Sequence, residues 1–87
     1  MTDLATFQAF DTVRVTTMRP ALASHLALNV SVRVPRVNDS GTVVEVMLRD
    51  GREVYYLVEH CAPDGRTLWL CEFDQDELEL VSRPTPD

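Results

Sequence analysis

Thr42-Val43-Val44-Glu45-Val46-Met47-Leu48-Arg49-Asp50-Gly51-Arg52-Glu53-Val54-Tyr55-Tyr56-Leu57-Val58-Glu59-His60 decides the fold. Two β-branched, alternating runs flank an Asp-Gly pair, the pattern of a β-hairpin. The loop length then sets which side chains share a face. A two-residue loop would pair Val44 with Leu57 and Val46 with Tyr55, setting a clean apolar face against a mixed one. A three-residue loop Arg49-Asp50-Gly51 pairs Val46 with Val54 and Val44 with Tyr56, and puts Gly51 at the left-handed position of a bulged turn. That register gathers Val44, Val46, Leu48, Val54, Tyr56 and Val58 on one face. A one-residue slip would turn all of them outward, so the three-residue loop is the expectation.

Working outward, Arg66 to Phe73 is a third strand, joined to the hairpin through the turn Ala62-Pro63-Asp64-Gly65. Asp74-Gln75-Asp76-Glu77-Leu78 suits a single 3-10 turn, and Glu79 to Ser82 a short closing strand. Upstream, Asp11 to Met18 alternates, with Val13, Val15 and Thr17 on one face and Arg14 and Thr16 on the other. Arg19-Pro20 ends it. Residues 20–28 have helix propensity, with Pro20 at the first position and Asn29 at the exit, and are either one or two helical turns or an extended loop. Val30 to Val34 is β-branched and a candidate short strand, and Pro35 to Gly41 is a turn-rich connector. The division is a lead-in over 1–10, one domain over 11–82 and a tail over 83–87. About five short strands with one apolar face must close on themselves, and a small, strongly bent all-β barrel is the economical solution.

The 87 residues suffice for one domain with a thin core. The net charge of −6 argues against nucleic acid and anionic membrane as partners, since phosphate binding needs clustered positive charge. All eight basic residues are arginine, with no basic cluster. No stretch approaches the roughly 18 apolar residues of a membrane span. Residues Met1 to Leu4 lack the basic start of a signal peptide, so a cytoplasmic address is expected. Cys61 and Cys71 are then reduced thiols. In the hairpin Cys61 faces about Thr67, and Cys71 faces Tyr56 or Leu57. That offset of roughly 13 Å at strand rise exceeds the about 7 Å that a disulfide spans.

The order of motifs carries a resemblance. Asp11-Thr-Val-Arg-Val opens the pattern and Gly41-Thr-Val-Val-Glu-Val follows the connector. Tyr56-Leu-Val-Glu-His, Gly65-Arg-Thr-Leu-Trp-Leu and Asp76-Glu-Leu-Glu-Leu complete it. Over about residues 10–81 this resembles a family of small uncharacterised bacterial domains with an SH3-like (Src-homology-3-like) barrel, which implies that fold and says little of function. A more distant likeness is to the SH3-like domain of nitrile hydratase β subunits, carried by His25, Arg33-Val34-Pro35-Arg36 and Gly41-Thr42-Val43. The catalytic metal of that enzyme lies on the other subunit, in a cysteine cluster that this chain lacks. The likeness implies an accessory subunit or metallochaperone rather than a hydratase.

No residue set has the spacing of a catalytic or metal site. His60 and Cys61 are adjacent in a strand and point to opposite faces. Cys71 and His25 complete no ligand motif, and no cofactor is expected. A Cys-His nucleophile pair would need an orienting group and a pocket, which a barrel this small does not offer. Asp74, Asp76, Glu77 and Glu79 are expected as solvated acids. The remaining clue is a surplus of apolar residues. Tyr55 and Leu57 fall on the non-core face of their strand. Arg66 to Phe73 is apolar on both sides, with Trp69, Cys71 and Phe73 on one and Leu68 and Leu70 on the other. Tyr55, Leu57, Trp69 and Phe73 are therefore the candidate contact residues for another protein. Two other covers are open: the N-terminal segment with Phe7 and Phe10 (or residues 20–28), and a second copy of the chain. The expected function is a non-enzymatic protein-interaction domain, of an accessory, immunity or antitoxin-like kind.

Overall fold

In the computed structural model, residues 6–18, 26–27, 29–51 and 53–84 are described, Arg49 by its backbone only. Five strands form one antiparallel sheet: β1 (Thr12–Val15), β2 (Ser40–Arg49), β3 (Glu53–Cys61), β4 (Thr67–Asp74) and β5 (Leu78–Ser82). A 3-10 turn, Gln75–Glu77, joins β4 to β5. The spatial order is β4-β3-β2-β1-β5. β1 is shorter than the run from Asp11 to Met18, its ladder ending at Val15, with Thr16 N–H still donating to the Glu77 carbonyl. The helix propensity of residues 20–28 falls mostly outside the described residues. Val30 to Val34 is turn and bend rather than strand.

The hairpin has a three-residue loop, displaced by one position from the expected one. Arg49 pairs with Glu53, so three residues separate the strands, and Asp50 and Gly51 both take left-handed backbone at φ 55° and 70°. Val46 pairs with Tyr56 and Leu48 with Val54. The displacement is two residues in pairing, so Tyr56 and Val58 still point inward, and both are fully buried. Val46 and Val54 pack at the edge of the core. The expectation fails at Val44 and Leu48, which are exposed. The cause at Val44 is a register shift between Val43 and Glu45. The extra residue reverses the phase of the strand, so Val43 enters the core in place of Val44. Leu48 lies near the hairpin tip, away from the buried cluster.

Gly41 lies in β2 against β3. A Cβ there would lie 2.6 Å from Val58 Cγ1 and 2.8 Å from the Glu59 carbonyl oxygen, so only glycine fits.

One buried cluster takes residues from all five strands: Val13 and Val15, Val43, Tyr56 and Val58, Trp69, Cys71 and Phe73, and Leu78. Phe7, from the segment before β1, completes it. Burial of the Trp69, Cys71 and Phe73 side settles the ambiguity of β4. It also places Phe7 within the core while leaving Phe10 exposed. Cys61 pairs with Thr67, as the hairpin geometry requires, but Cys71 lies opposite Val58 rather than Tyr56 or Leu57. Both cysteines are free. Among the described residues, no helix is long and apolar enough to cross a membrane.

The turn before β5 also differs from a wholly solvated acidic run. Glu77 is buried and its Oε1 accepts from the Asp74 backbone N–H at 2.8 Å, closing the turn on itself. Glu79 forms an ion pair with Arg14 across the β1–β5 pairing.

Candidate functional site

The four candidate contact residues separate onto opposite faces of the sheet. Tyr55 and Leu57 are half-buried on the outer face. Tyr55 lies between Met47 and Asp74, and Leu57 between Glu45 and Glu72. Trp69 and Phe73 face the other way and are buried, with ring centroids 5.7 Å apart in an edge arrangement. Their placement as surface residues is therefore corrected: on this fold they support a surface from beneath. The apolar character of both sides of β4 hid this, because pairing within one hairpin does not say which face the rest of the chain covers.

What lies above Trp69 is the loop that precedes β2, and Asp39 holds it there. Asp39 Oδ2 accepts from Trp69 Nε1 at 3.0 Å, from Arg33 Nη1 at 2.8 Å and from the Arg36 backbone N–H at 2.9 Å. Burial pushes the Asp39 carboxyl upward, yet these donors outweigh it and leave the group below the usual carboxylate range. His60 stacks on Trp69, with centroids 5.4 Å apart, and its Nδ1 meets the Ser40 carbonyl. The loop is tied to the β4 edge as well. The backbone N–H groups of Val32 and Arg33 donate to the Leu68 carbonyl, and that of Ala27 donates to the Leu70 carbonyl. Ser31 Oγ accepts from the Leu70 N–H at 3.0 Å.

This anchoring alternates along the segment. Ser31 and Arg33 turn inward to β4 and Asp39, and Pro35 is buried. Val30, Val32 and Val34 turn outward, and Val37 follows them beyond the Pro35-Arg36 corner. Val32 is 67% exposed and Val34 53%. The result is a row of valines held in a fixed conformation. The signal was present as the alternation Val30-x-Val32-x-Val34, but alternation predicts a strand as readily as an ordered loop.

Neither cysteine is set up as a nucleophile. Burial, aided by Glu77 and Glu72, pushes the Cys71 thiol up to about 12. Burial and then Glu59 raise that of Cys61. Among the described residues, no three of the His, Cys, Asp and Glu side chains come together as a metal-binding group. Of the nitrile hydratase-like residues, His25 lies outside the described residues. Arg33 and Pro35 serve the loop, and Gly41 allows the close approach of β2 to Val58 and Glu59 of β3. No family model, curated protein or solved structure matches the chain.

Proposed function

We propose that the chain is a small SH3-like barrel acting in the cytoplasm as a non-enzymatic protein-interaction module, with the valine row of the β1–β2 connection as its contact surface. The strand order, the long connection after β1 and the 3-10 turn before β5 support the barrel reading. The single observation that carries the functional reading is an exposed apolar row on a loop pinned by Asp39. Apolar side chains exposed together lower their free energy by burial against a partner. A loop already fixed in place loses little conformational entropy on binding. Half-buried Tyr55 and Leu57, on the opposite face of the sheet, are a separate and secondary contact candidate, and the free thiols fit a reducing compartment.

A photo-crosslinking amino acid at Val32, compared with one at the exposed turn residue Asp64, tests this in the cells that make the protein. A discrete crosslinked species at position 32, absent at position 64 and lost when Val34→Asp is added, is the expected result. Equal labelling at both positions, or none at position 32, would overturn the reading. Recovery of a hydratase-like α subunit in that species would assign the role of an accessory subunit.

A further inference from the structure

Thr6 and Phe7 are held as a bound peptide would be. Tyr56 Oη accepts from the Thr6 N–H at 3.0 Å and the Phe7 N–H at 3.3 Å, and donates to Gln75 Oε1 at 3.0 Å. Gln75 Oε1 also lies 3.2 Å from the Thr6 N–H. Arg83 Nη2 donates to the Thr6 carbonyl at 3.1 Å. The Phe7 ring is buried edge-on against Tyr56, with centroids 5.1 Å apart. The receiving groups come from β3, the 3-10 turn and the segment after β5, all far from the strap in sequence. The receptor is thus complete without any covalent link to the strap it holds.

The link itself is strained. Phe10 has φ 74°, a left-handed conformation in which its Cβ crowds the following carbonyl. The residue is 70% exposed, so no buried packing offsets the strain. Beyond it the chain is fixed again by Asp11, which accepts from Arg83. The strain therefore sits between a docked strap and a docked strand. Two bonds of the Gln8–Asp11 turn and the Phe10 N–H to the Val43 carbonyl hold this link closed, so it opens chiefly when the chain unfolds.

We propose that the Thr6–Phe7 strap exchanges between two copies of this chain, hinged at Phe10, to give a two-fold swapped dimer. The occupant is a second copy because its strap carries the groups that the receptor already accepts. Each copy regains in its partner the contacts of Thr6 and Phe7 with Tyr56, Gln75 and Arg83 that it gives up. Extension of the hinge returns Phe10 to ordinary backbone in both copies, and short strained hinges favour exchange over closure. The dimer would present two valine rows and so bind a repeated partner with avidity.

The test is refolding from denaturant over a range of protein concentrations, with molar mass read by light scattering after size exclusion. The wild type is expected to yield a dimer whose fraction rises with the concentration at refolding. Phe10→Gly and Phe10→Asn tolerate the left-handed backbone and are expected to weaken the dimer about tenfold or more, given the strain removed from two hinges. Phe10→Lys keeps the strain but removes the aromatic ring, and is expected to dimerise as the wild type does. A wild type that is monomeric at every concentration would overturn the proposal. So would a Phe10→Gly variant that dimerises unchanged, or loss of the dimer in Phe10→Lys, which would make the ring a sticky contact instead of a hinge.

Discussion

Asp11 and Asp39 are both carboxylates held by arginine, and each ties a chain segment to the sheet. Asp11 is fully buried, and the hydrogen bonds from Arg83 hold its pKa below the ordinary value of 3.8, against the opposing effect of burial. Such a group stabilises the fold above its unfolded pKa, and the contribution disappears as pH falls through the lower folded value. Asp39 acts with the same sign. Stability to urea is therefore expected to hold from neutral pH down to about 5 and to fall below about 4, where unfolded aspartates take up protons. Asp11→Asn is expected to lower stability at pH 7 and to shrink the difference between pH 7 and pH 3. An unchanged acid limb in that variant would remove Arg83–Asp11 from the account. Gly41 gives a second residue-level prediction. Gly41→Ala forces a Cβ against the Glu59 carbonyl, and a cost of about 1–3 kcal/mol is expected in urea denaturation.

The β2–β3 hairpin shows how much of an element can be read from its residues. Its two strands, its Asp-Gly turn and the inward direction of Tyr56 and Val58 all follow from alternation and turn chemistry. The faces fail at and before the bulge at Val44, because one unpaired residue reverses every face that precedes it, and Leu48 fails separately by being exposed near the hairpin tip. Similar shifts occur between Thr12 and Val13 in β1 and between His60 and Cys61 in β3. Alternation locates strands in such a sheet, but it cannot assign faces across a bulge. The bulge predicts a sharp contrast between neighbours. Val43→Ala removes fully buried apolar surface and should cost about 2 kcal/mol. Val44→Asp should stay within about 0.5 kcal/mol of wild type. Equal effects at the two positions would mean that β2 is regular and the core face is the one first expected.

At the scale of the whole molecule, the all-β character, the strand order in sequence and the closing 3-10 turn were legible. The surface was not. Trp69 looked like half of a contact patch because β4 is apolar on both sides. Its burial depends on Asp39, 30 residues away in sequence, and on a loop whose anchoring bonds run to backbone carbonyls of the β4 edge. Contacts of that range leave no periodic trace. The exposure of the valine row is hidden in the sequence for the same reason: it follows from what its alternate residues bind. Asp39 therefore links the core to the surface that is proposed to act. Asp39→Ala removes an acceptor from three donors and is expected to cost about 1–3 kcal/mol, loosening residues 30–37 and weakening any contact made through Val32.

Trp69 is the protein's single tryptophan, so its fluorescence reports on this junction directly. The account predicts blue-shifted emission that resists quenching by acrylamide in the folded wild type. Asp39→Ala should shift that emission to the red and increase quenching while the fold persists. Emission from the folded wild type like that of a tryptophan in water, quenched freely, would contradict the account and return Trp69 to the surface.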